Sequence, residues 1–449
     1  MSAKKLRRVG RIAAIALSAF LSICSQARAA SQDDLVKRGE YLARAGDCIS
    51  CHTAASAAYA NTGGTSGVAF AGGLAISTPY GYLVSPNITP DDETGIGTWT
   101  ADDFWRAIHF GINKRGEPLY PAMPYVFFTK TTREDSDAIF AFLKSLKPVR
   151  HAVDINHLAW PYDMRFAAMT AWQALWFTPG VYQPDASKSA EWNRGAYLVE
   201  GLGHCGACHT PRNFMGAVES SERFTGASID SWFAPNITPN LRFGIGDFTV
   251  DELAQFFKTG VMQRTAEQFA NSSNVLGFTG KGRGEQLPTA VGPMAEVWHN
   301  SLRFLTEADA KAMATYLESQ PAATSPLNQG RPTVQPYRLP VGGRLFLENC
   351  AGCHMPNGAG AVGSGPGPEL AGNPIVIAPS PDDLLSMVLG GQVAQHAMVA
   401  MPAFKMQFTD AEIAAVLSYV RTSWGNSASQ VTPQEVAAFR KQFFPGKGP

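Results

Sequence analysis

Cys48-Ile49-Ser50-Cys51-His52, Cys205-Gly206-Ala207-Cys208-His209 and Cys350-Ala351-Gly352-Cys353-His354 are one five-residue phrase used three times. C-x-x-C-H is the spacing of a covalent haem attachment site. Two cysteines three apart on one turn can each form a thioether with a haem vinyl group, and the following histidine takes one axial position on the iron. Two other readings compete. A structural zinc site needs a second ligand pair, and a redox dithiol needs no following histidine. One copy would leave these open; three copies at near-equal spacing favour haem.

At 449 residues the length suits about three domains. The formal net charge of zero conceals an asymmetry: residues 1–29 carry Lys4, Lys5, Arg7, Arg8, Arg11 and Arg28 and no acid, leaving 31 basic against 37 acidic groups, or −6, in the rest. No basic footprint for nucleic acid is present. The basic start, the apolar run Ile12–Cys24 and the small-x-small triplet Ala27-Arg28-Ala29 read as a secretory signal over 1–29, cleaved before Ala30. The apolar core is short for a membrane span. Setting Cys24 aside, the three motifs use all six remaining cysteines, so no disulfide is expected. Export fits, because bacteria attach c-type haem outside the cytoplasmic membrane.

The repeat extends beyond the motifs. A short helical stretch with a glycine precedes each: Gly39-Glu40-Tyr41-Leu42, Gly195-Ala196-Tyr197-Leu198 and Gly343-Arg344-Leu345-Phe346. The glycine lets another helix approach, and the expected partner is the last helix of each unit, through Phe142-Leu143, Tyr316-Leu317 and Tyr419-Val420. Each last helix opens with a capping-box-like pair: Thr132/Asp135, Thr306/Asp309 and Thr409/Glu412. A middle helix opens at Thr100/Asp103, Thr249/Glu252 and Ser380/Asp383 and ends at Gly111, Gly260 and Gly390. The first two units also share Pro-Asn-Ile-Thr (Pro86–Thr89, Pro235–Thr238) and Gly-Ile-Gly (Gly95–Gly97, Gly244–Gly246), where the third has a Gly/Pro loop, Gly363–Pro368. A duplicated pair and a more distant third domain follow.

The expected boundaries are 1–29 signal, 30–150 first domain, 151–188 aromatic-rich linker, 189–322 second domain, 323–340 Pro-rich linker, 341–425 third domain and 426–449 tail. The aromatic linker, with Trp160, Tyr162, Phe166, Trp172, Trp176 and Phe177, reads first as an apolar strap over the first two domains. Its alternative is a docking surface for a partner subunit or the bilayer interface. In the tail, Thr432-Pro433-Gln434-Glu435 starts a helix carrying Val436, Phe439 and Phe443 on one face, either a short amphipathic anchor or a helix folded back on the domain.

The sixth iron ligand decides between electron transfer and chemistry, and methionine is the usual closing ligand of an electron carrier. Each candidate is sought between the middle and last helices. Met123 lies in Pro121-Ala122-Met123-Pro124, and Met401-Pro402 repeats its Met-Pro, which favours Met401 over Met398. In the second unit Met294 is favoured over Met262, lying twelve residues before Thr306 against nine and eight in the other units. Core packing is the ordinary use of methionine; register carries this assignment. The second unit also holds an extra polar, Gly-rich stretch at about 264–288, read as a surface loop beside its haem that shields an edge or meets a partner. His109, His204, His299 and His396 read as surface or hydrogen-bonded residues.

Together with Gly72–Pro79, Tyr120–Tyr125, Cys208–Asn213, Gly292–Glu296 and Ser423–Asn426, these motifs resemble the triheme cytochrome c subunit of bacterial membrane-bound dehydrogenases. That family serves quinoprotein alcohol dehydrogenases and flavin-dependent gluconate, sorbitol and fructose dehydrogenases, and the resemblance spans the mature chain. It implies a mainly α fold of three tandem class I-like cytochrome c domains with short helices and long loops. It implies three covalent haem c groups on Cys48, Cys51, Cys205, Cys208, Cys350 and Cys353. Axial ligands are then His52 with Met123, His209 with Met294, and His354 with Met401. The implied role is relaying electrons from a periplasmic flavin or quinoprotein catalytic subunit, which oxidises a sugar, sugar acid or alcohol, to ubiquinone. The chain would lie on the periplasmic face of the cytoplasmic membrane and would not itself oxidise the organic substrate. The stretch before Met294 is longer than the family leads one to expect, and the C-terminal membrane segment of some members is absent. The alternatives are a haem enzyme with an open coordination site, peroxidase-like, and a stand-alone periplasmic carrier.

Overall fold

Helix follows short helix along most of the chain, as the capped amphipathic stretches dictate. In the computed structural model the described residues are 32–54, 67–78, 80–229, 232–240, 244–246, 248–261, 290, 292–323, 341–358, 360, 367–392 and 400–445. The signal stretch 1–29, the loop at 264–288, the linker from 324 to 340, and Met262, His396 and Met398 lie outside them.

The first unit holds α1 (32–45), α2 (Cys48–Cys51), strands β1 (Ala75–Thr78) and β2 (Gly81–Val84), α3 (Ala101–Phe110), α4 (Tyr125–Phe128) and α5 (Arg133–Ser145). Strand β3 (Asn156–Leu158) and α6 (Arg165–Trp176) follow in the aromatic segment. The second unit holds α7 (Ala190–Tyr197), α8 (Gly206–His209), β4 (Ala227–Ile229), β5 (Trp232–Ala234), α9 (Val250–Thr259), α10 (Pro293–Asn300) and α11 (Glu307–Glu318). The third holds α12 (Val341–Asn349), α13 (Ala351–His354), α14 (Asp382–Gly390), α15 (Asp410–Thr422) and α16 (Pro433–Phe443). The fold is mainly α. Two small antiparallel sheets, β1-β2-β3 and β4-β5, add to what the helical patterns predicted.

In every unit a glycine lets the leading helix lie on the last one. A Cβ on Gly39 would collide with the Ala138 carbonyl and stand 2.9 Å from Phe142 Cβ. Gly195 meets the Ala312 carbonyl and Tyr316 Cβ at 2.8 Å in the same way. In the third unit the contact falls on Gly342, one residue before the expected Gly343, against the Ala415 carbonyl and Tyr419 Cβ at 3.1 Å.

The caps divide into two groups. Thr100/Asp103, Thr249/Glu252, Thr409/Glu412 and Thr432/Glu435 form complete capping boxes. At Thr132 and Thr306 only the threonine half forms, because Asp135 and Asp309 turn to other partners. Asp309 accepts from Arg194 Nε (2.8 Å) and Nη2 (2.7 Å) and from Tyr41 Oη of the first unit (2.6 Å). Asp135 accepts from Arg38 Nε (2.9 Å) and from Tyr197 Oη of the second unit (2.6 Å). The two units therefore clasp each other reciprocally, residue for equivalent residue, like the halves of a two-fold dimer. One buried core runs through both, including Leu42, Ile139, Leu198 and Met313.

Ser380/Asp383 does not form the expected box. The N-cap of α14 is Pro381, and the Asp383 carboxylate instead accepts from the Phe233 amide of β5. A carboxylate aimed at another element satisfies an edge-strand donor rather than its own helix end, and so joins the third unit to the second. The helix ends at Gly390 as expected, and the next residue, Gly391, is its cap at φ 74°. The third unit has its own core, including Phe346, Leu385 and Ile413, and α16 folds onto it through fully buried Val436 and buried Phe439. Of the two readings of the tail, the structure shows the folded-back helix.

The aromatic segment packs inward and is bare outward. Trp172 Nε1 donates to the Met215 carbonyl (2.9 Å), and Gln173 Nε2 donates to the Gly111 carbonyl (3.1 Å), so α6 touches both units. Its outer side leaves Trp160 77%, Leu175 70% and Phe166 65% exposed. No Asp, Glu, Lys, Arg or His occurs between Arg165 and Asp185. The segment is a strap on one face and an uncovered apolar surface on the other.

Candidate functional site

Each motif forms a short helical turn, and each motif histidine makes the same bond. Nδ1 of His52 donates to the Pro86 carbonyl (2.8 Å), that of His209 to Pro235 (2.7 Å), and that of His354 to Pro368 (2.8 Å). A carbonyl only accepts, so Nδ1 carries the proton and Nε2 keeps its lone pair for a metal. Burial lowers the pKa of all three below the usual histidine value, outweighing the opposing effect of the proline carbonyl. The rings are held neutral, as iron ligation requires.

This bond explains Pro-Asn-Ile-Thr. The proline carbonyl takes the histidine proton, and Asn87 Nδ2 donates to the Val149 carbonyl (2.7 Å) while Asn236 Nδ2 donates to that of Ala323 (2.8 Å). The asparagines tie the proline loop to the end of each unit. The third unit reaches the same end from the opposite side. Pro368 closes its Gly/Pro loop, and Asn426 of Ser-Trp-Gly-Asn donates to the Leu370 (3.1 Å) and Val420 (2.8 Å) carbonyls.

Sequence reasoning missed the Phe-x-Gly that crosses behind the motif, although its repetition was visible. The Phe70 and Phe224 amides donate to Thr53 Oγ1 (3.2 Å) and Thr210 Oγ1 (3.1 Å), next to each motif histidine. Gly72, at φ 77°, lies so close to Pro86 that a Cβ would stand 2.5 Å from its carbonyl carbon. Its amide and that of Gly226 donate to the carbonyls of His52 (2.8 Å) and His209 (2.9 Å). Thus the backbone holds each of these two histidines at its ring Nδ1 and at its own carbonyl.

None of the six motif cysteines is paired in a disulfide. Burial pushes the Cys48 and Cys205 thiols up to about 12 and that of Cys350 up to about 11, and raises Cys51 further. Among the described residues no cluster of three or more His, Cys, Asp or Glu is placed to hold a bare metal ion. Cysteine pair, neutral imidazole with a free Nε2 and apolar surroundings fit a covalent haem.

Cys48, Met123, Cys205 and Met294 all pack against the core shared by the first two units, and Cys350 and Met401 against that of the third. Met294 gains a structural register. The Gly111 carbonyl accepts from the Leu119 amide (2.7 Å) and the Gly260 carbonyl from the Ala290 amide (2.8 Å). Met123 and Met294 each stand four residues after that amide. Met401 is paired through its backbone to Gln392, next to the cap of α14 (2.9 Å both ways).

The second motif differs in its approach. Gly195 precedes Cys205 by ten residues where Gly39 precedes Cys48 by nine, and a π turn at Leu198–Leu202 absorbs the extra residue. Asp47 and His204, just before the first and second motifs, both adopt positive φ (51° and 37°). The second unit reaches the first motif directly: Asn300 of α10 donates to Ser50 Oγ (2.8 Å), and Ser50 in turn donates to Asp47 (2.6 Å). His109 is buried, stacked on Trp105, and His204 bonds the Leu202 carbonyl (3.1 Å), both in keeping with a structural role.

The cytochrome c family profile matches residues 341–424. The chain is 37% identical over 422 residues to the alcohol dehydrogenase (quinone) cytochrome c subunit of Gluconobacter oxydans, covering 89% of this chain and 80% of that one. It is 36% identical over 450 residues to the gluconate 2-dehydrogenase cytochrome c subunit of Pantoea cypripedii, with 94% and 93% covered. The fructose dehydrogenase cytochrome subunit of Gluconobacter japonicus is 35% identical over 434 residues, with 90% and 82% covered.

Proposed function

This chain belongs to the family of cytochrome c subunits of quinoprotein and flavin dehydrogenase complexes, and from that premise we propose that it carries three haem c groups which relay electrons from a catalytic subunit to ubiquinone. A c-type cytochrome subunit transfers electrons within a dehydrogenase complex. We assign the finer roles as follows. Cys48 and Cys51, Cys205 and Cys208, and Cys350 and Cys353 anchor the haems; His52, His209 and His354 are proximal ligands; Met123, Met294 and Met401 are distal. The chain forms three tandem cytochrome c domains, the first two clasped and the third latched through Asp383. The observation that carries this reading is the thrice-repeated histidine–proline carbonyl bond, which presents one free Nε2 beside each cysteine pair.

Bound haem would supply reversible one-electron transfer. The protein's part is to hold each ring neutral, exclude water with the shared core and fix the first two sites relative to each other. The electron source is a flavin or quinoprotein subunit oxidising a sugar, sugar acid or alcohol, and this chain does not oxidise that substrate itself. The site of action is the periplasmic face of the cytoplasmic membrane. Among the described residues no helix is long and apolar enough to cross a membrane, and the uncovered apolar side of α6 supports attachment to the membrane surface.

The test is to isolate the chain gently from membranes with its partners and screen sugars, sugar acids, alcohols and aldehydes for substrate-dependent haem reduction. Reduction is expected only with the catalytic subunit present. Reduction by substrate with the purified chain alone would overturn the assignment.

A further inference from the structure

Three residues after the motif histidine, the units carry Ala55, Arg212 and Asn357, so only the second places a cation there. Arg212 is exposed to solvent but held in place by two hydrogen bonds. Its Nη1 donates to the Gly216 carbonyl (2.8 Å) and its Nη2 to the Ala207 carbonyl (3.0 Å). Ala207 lies between the two attachment cysteines of the second motif, so the guanidinium is pinned against the motif turn itself. Both acceptors are neutral carbonyls, leaving the positive charge uncompensated by them. Glu200, the carboxylate near Cys205, is held by Arg223 Nη1 (2.6 Å). Near Cys51 of the first motif lie the carboxyls of Asp47 and of Glu296 from α10, and burial raises the pKa of both.

We propose that Arg212 is a positioning residue whose fixed charge raises the reduction potential of the second haem, making it the electron sink of the clasped pair. The inference rests on haem binding at the second motif. Adding one electron takes ferric iron to ferrous and removes one positive charge from the site, and the electron comes from the dehydrogenase partner. A nearby fixed cation therefore favours the reduced form. A unit charge at roughly 10 Å in an effective dielectric of about 20 to 40 shifts such an equilibrium by about tenfold, which is about 59 mV for one electron.

The experiment is a spectroelectrochemical titration of the full haem-loaded chain, with haem per chain counted for every variant. R212Q is expected to shift one of the three midpoints downward by about tenfold in its equilibrium constant and leave the other two in place. R212K is expected to restore most of the shift. Asn213 offers a second variant that keeps the loop, because its Oδ1 accepts from the Met215 (2.9 Å) and Ala217 (3.1 Å) amides and a carboxylate can do the same. N213D is expected to lower the same midpoint with Arg212 still present. Unchanged midpoints in R212Q and N213D would overturn the proposal. So would a shift common to all three haems, or R212K behaving like R212Q, since either means a structural clamp rather than a charge. Fewer than three haems in the wild-type chain would instead count against the triheme reading.

Discussion

Asp309→Asn tests the reciprocal clasp most directly, because asparagine keeps the shape and removes the charge. Asp309 is the single acceptor for both Arg194 nitrogens and for Tyr41 across the unit boundary. Its side chain is 11% exposed and that of Arg194 is 35% exposed. Hydrogen bonds to charged groups are worth about 1.5–3 kcal/mol each, and breaking a buried pair costs about 3–5 kcal/mol. Solvent reaching Arg194 reduces this, so a loss of about 2–3 kcal/mol is expected. Burial pushes the Asp309 pKa up, but the bonds from Arg194 and Tyr41 outweigh it and hold it below the usual aspartate value. The sign follows from linkage. An acid depressed in the folded state stabilises above its unfolded pKa, and that stability disappears as pH falls through the folded value. The clasp should therefore be fully present at neutral pH and weaken below about pH 4, with D309N lacking this acid dependence. Urea unfolding of the haem-loaded chain at pH 7 and pH 3.5 measures both effects, and a Y41F/D309N cycle isolates the contact between units. Coupling of at least about 0.5 kcal/mol is expected for residues in direct contact. A D309N change within about 0.5 kcal/mol, or no coupling to Y41F, would refute the clasp as a source of stability.

Three further outcomes follow from the same geometry. G195A should destabilise by about 2 kcal/mol despite the better helix propensity of alanine, because its Cβ collides with the Ala312 carbonyl; a neutral change in thermal or urea unfolding would mean the helices can part freely. M123L, M294L and M401L should each open one iron, so carbon monoxide binding rises from none to one haem per chain, and a variant that binds none would show that its methionine is not the ligand. Burial, reinforced by Asp382 and opposed by the Phe233 amide, pushes Asp383 up to about 8. The folded chain thus keeps a proton that the unfolded chain releases between about pH 4 and 8, and stability falls as pH rises through that window; D383N should flatten this slope in urea midpoints taken across it.

The sequence by itself determined the repeat and the attachment pattern on which the proposed haem chemistry rests. Covalent attachment needs two cysteines and a histidine at fixed spacing on one turn, and helix caps and close-approach glycines are local or near-local demands. That is why Gly39 and Gly195 could be assigned their partner helices from Phe142 and Tyr316 alone. Where the requirement was shared between distant segments, the sequence was silent or off by a residue. Thr306/Asp309 looks like a capping box in isolation, and only the tertiary structure brings Arg194 and Tyr41 to outbid the helix end. Ser380/Asp383 looks the same, and the unpaired edge of β5 claims it. Gly342 rather than Gly343 meets Ala415 because the crossing point of two helices is set by their packing. The Pro86 and Pro235 carbonyls could not be matched to His52 and His209 without the fold, since a backbone acceptor leaves no mark in a side-chain pattern. Only the tertiary structure decided how the first two units embrace, because an interface between equivalent surfaces depends on geometry that no spacing along the chain encodes.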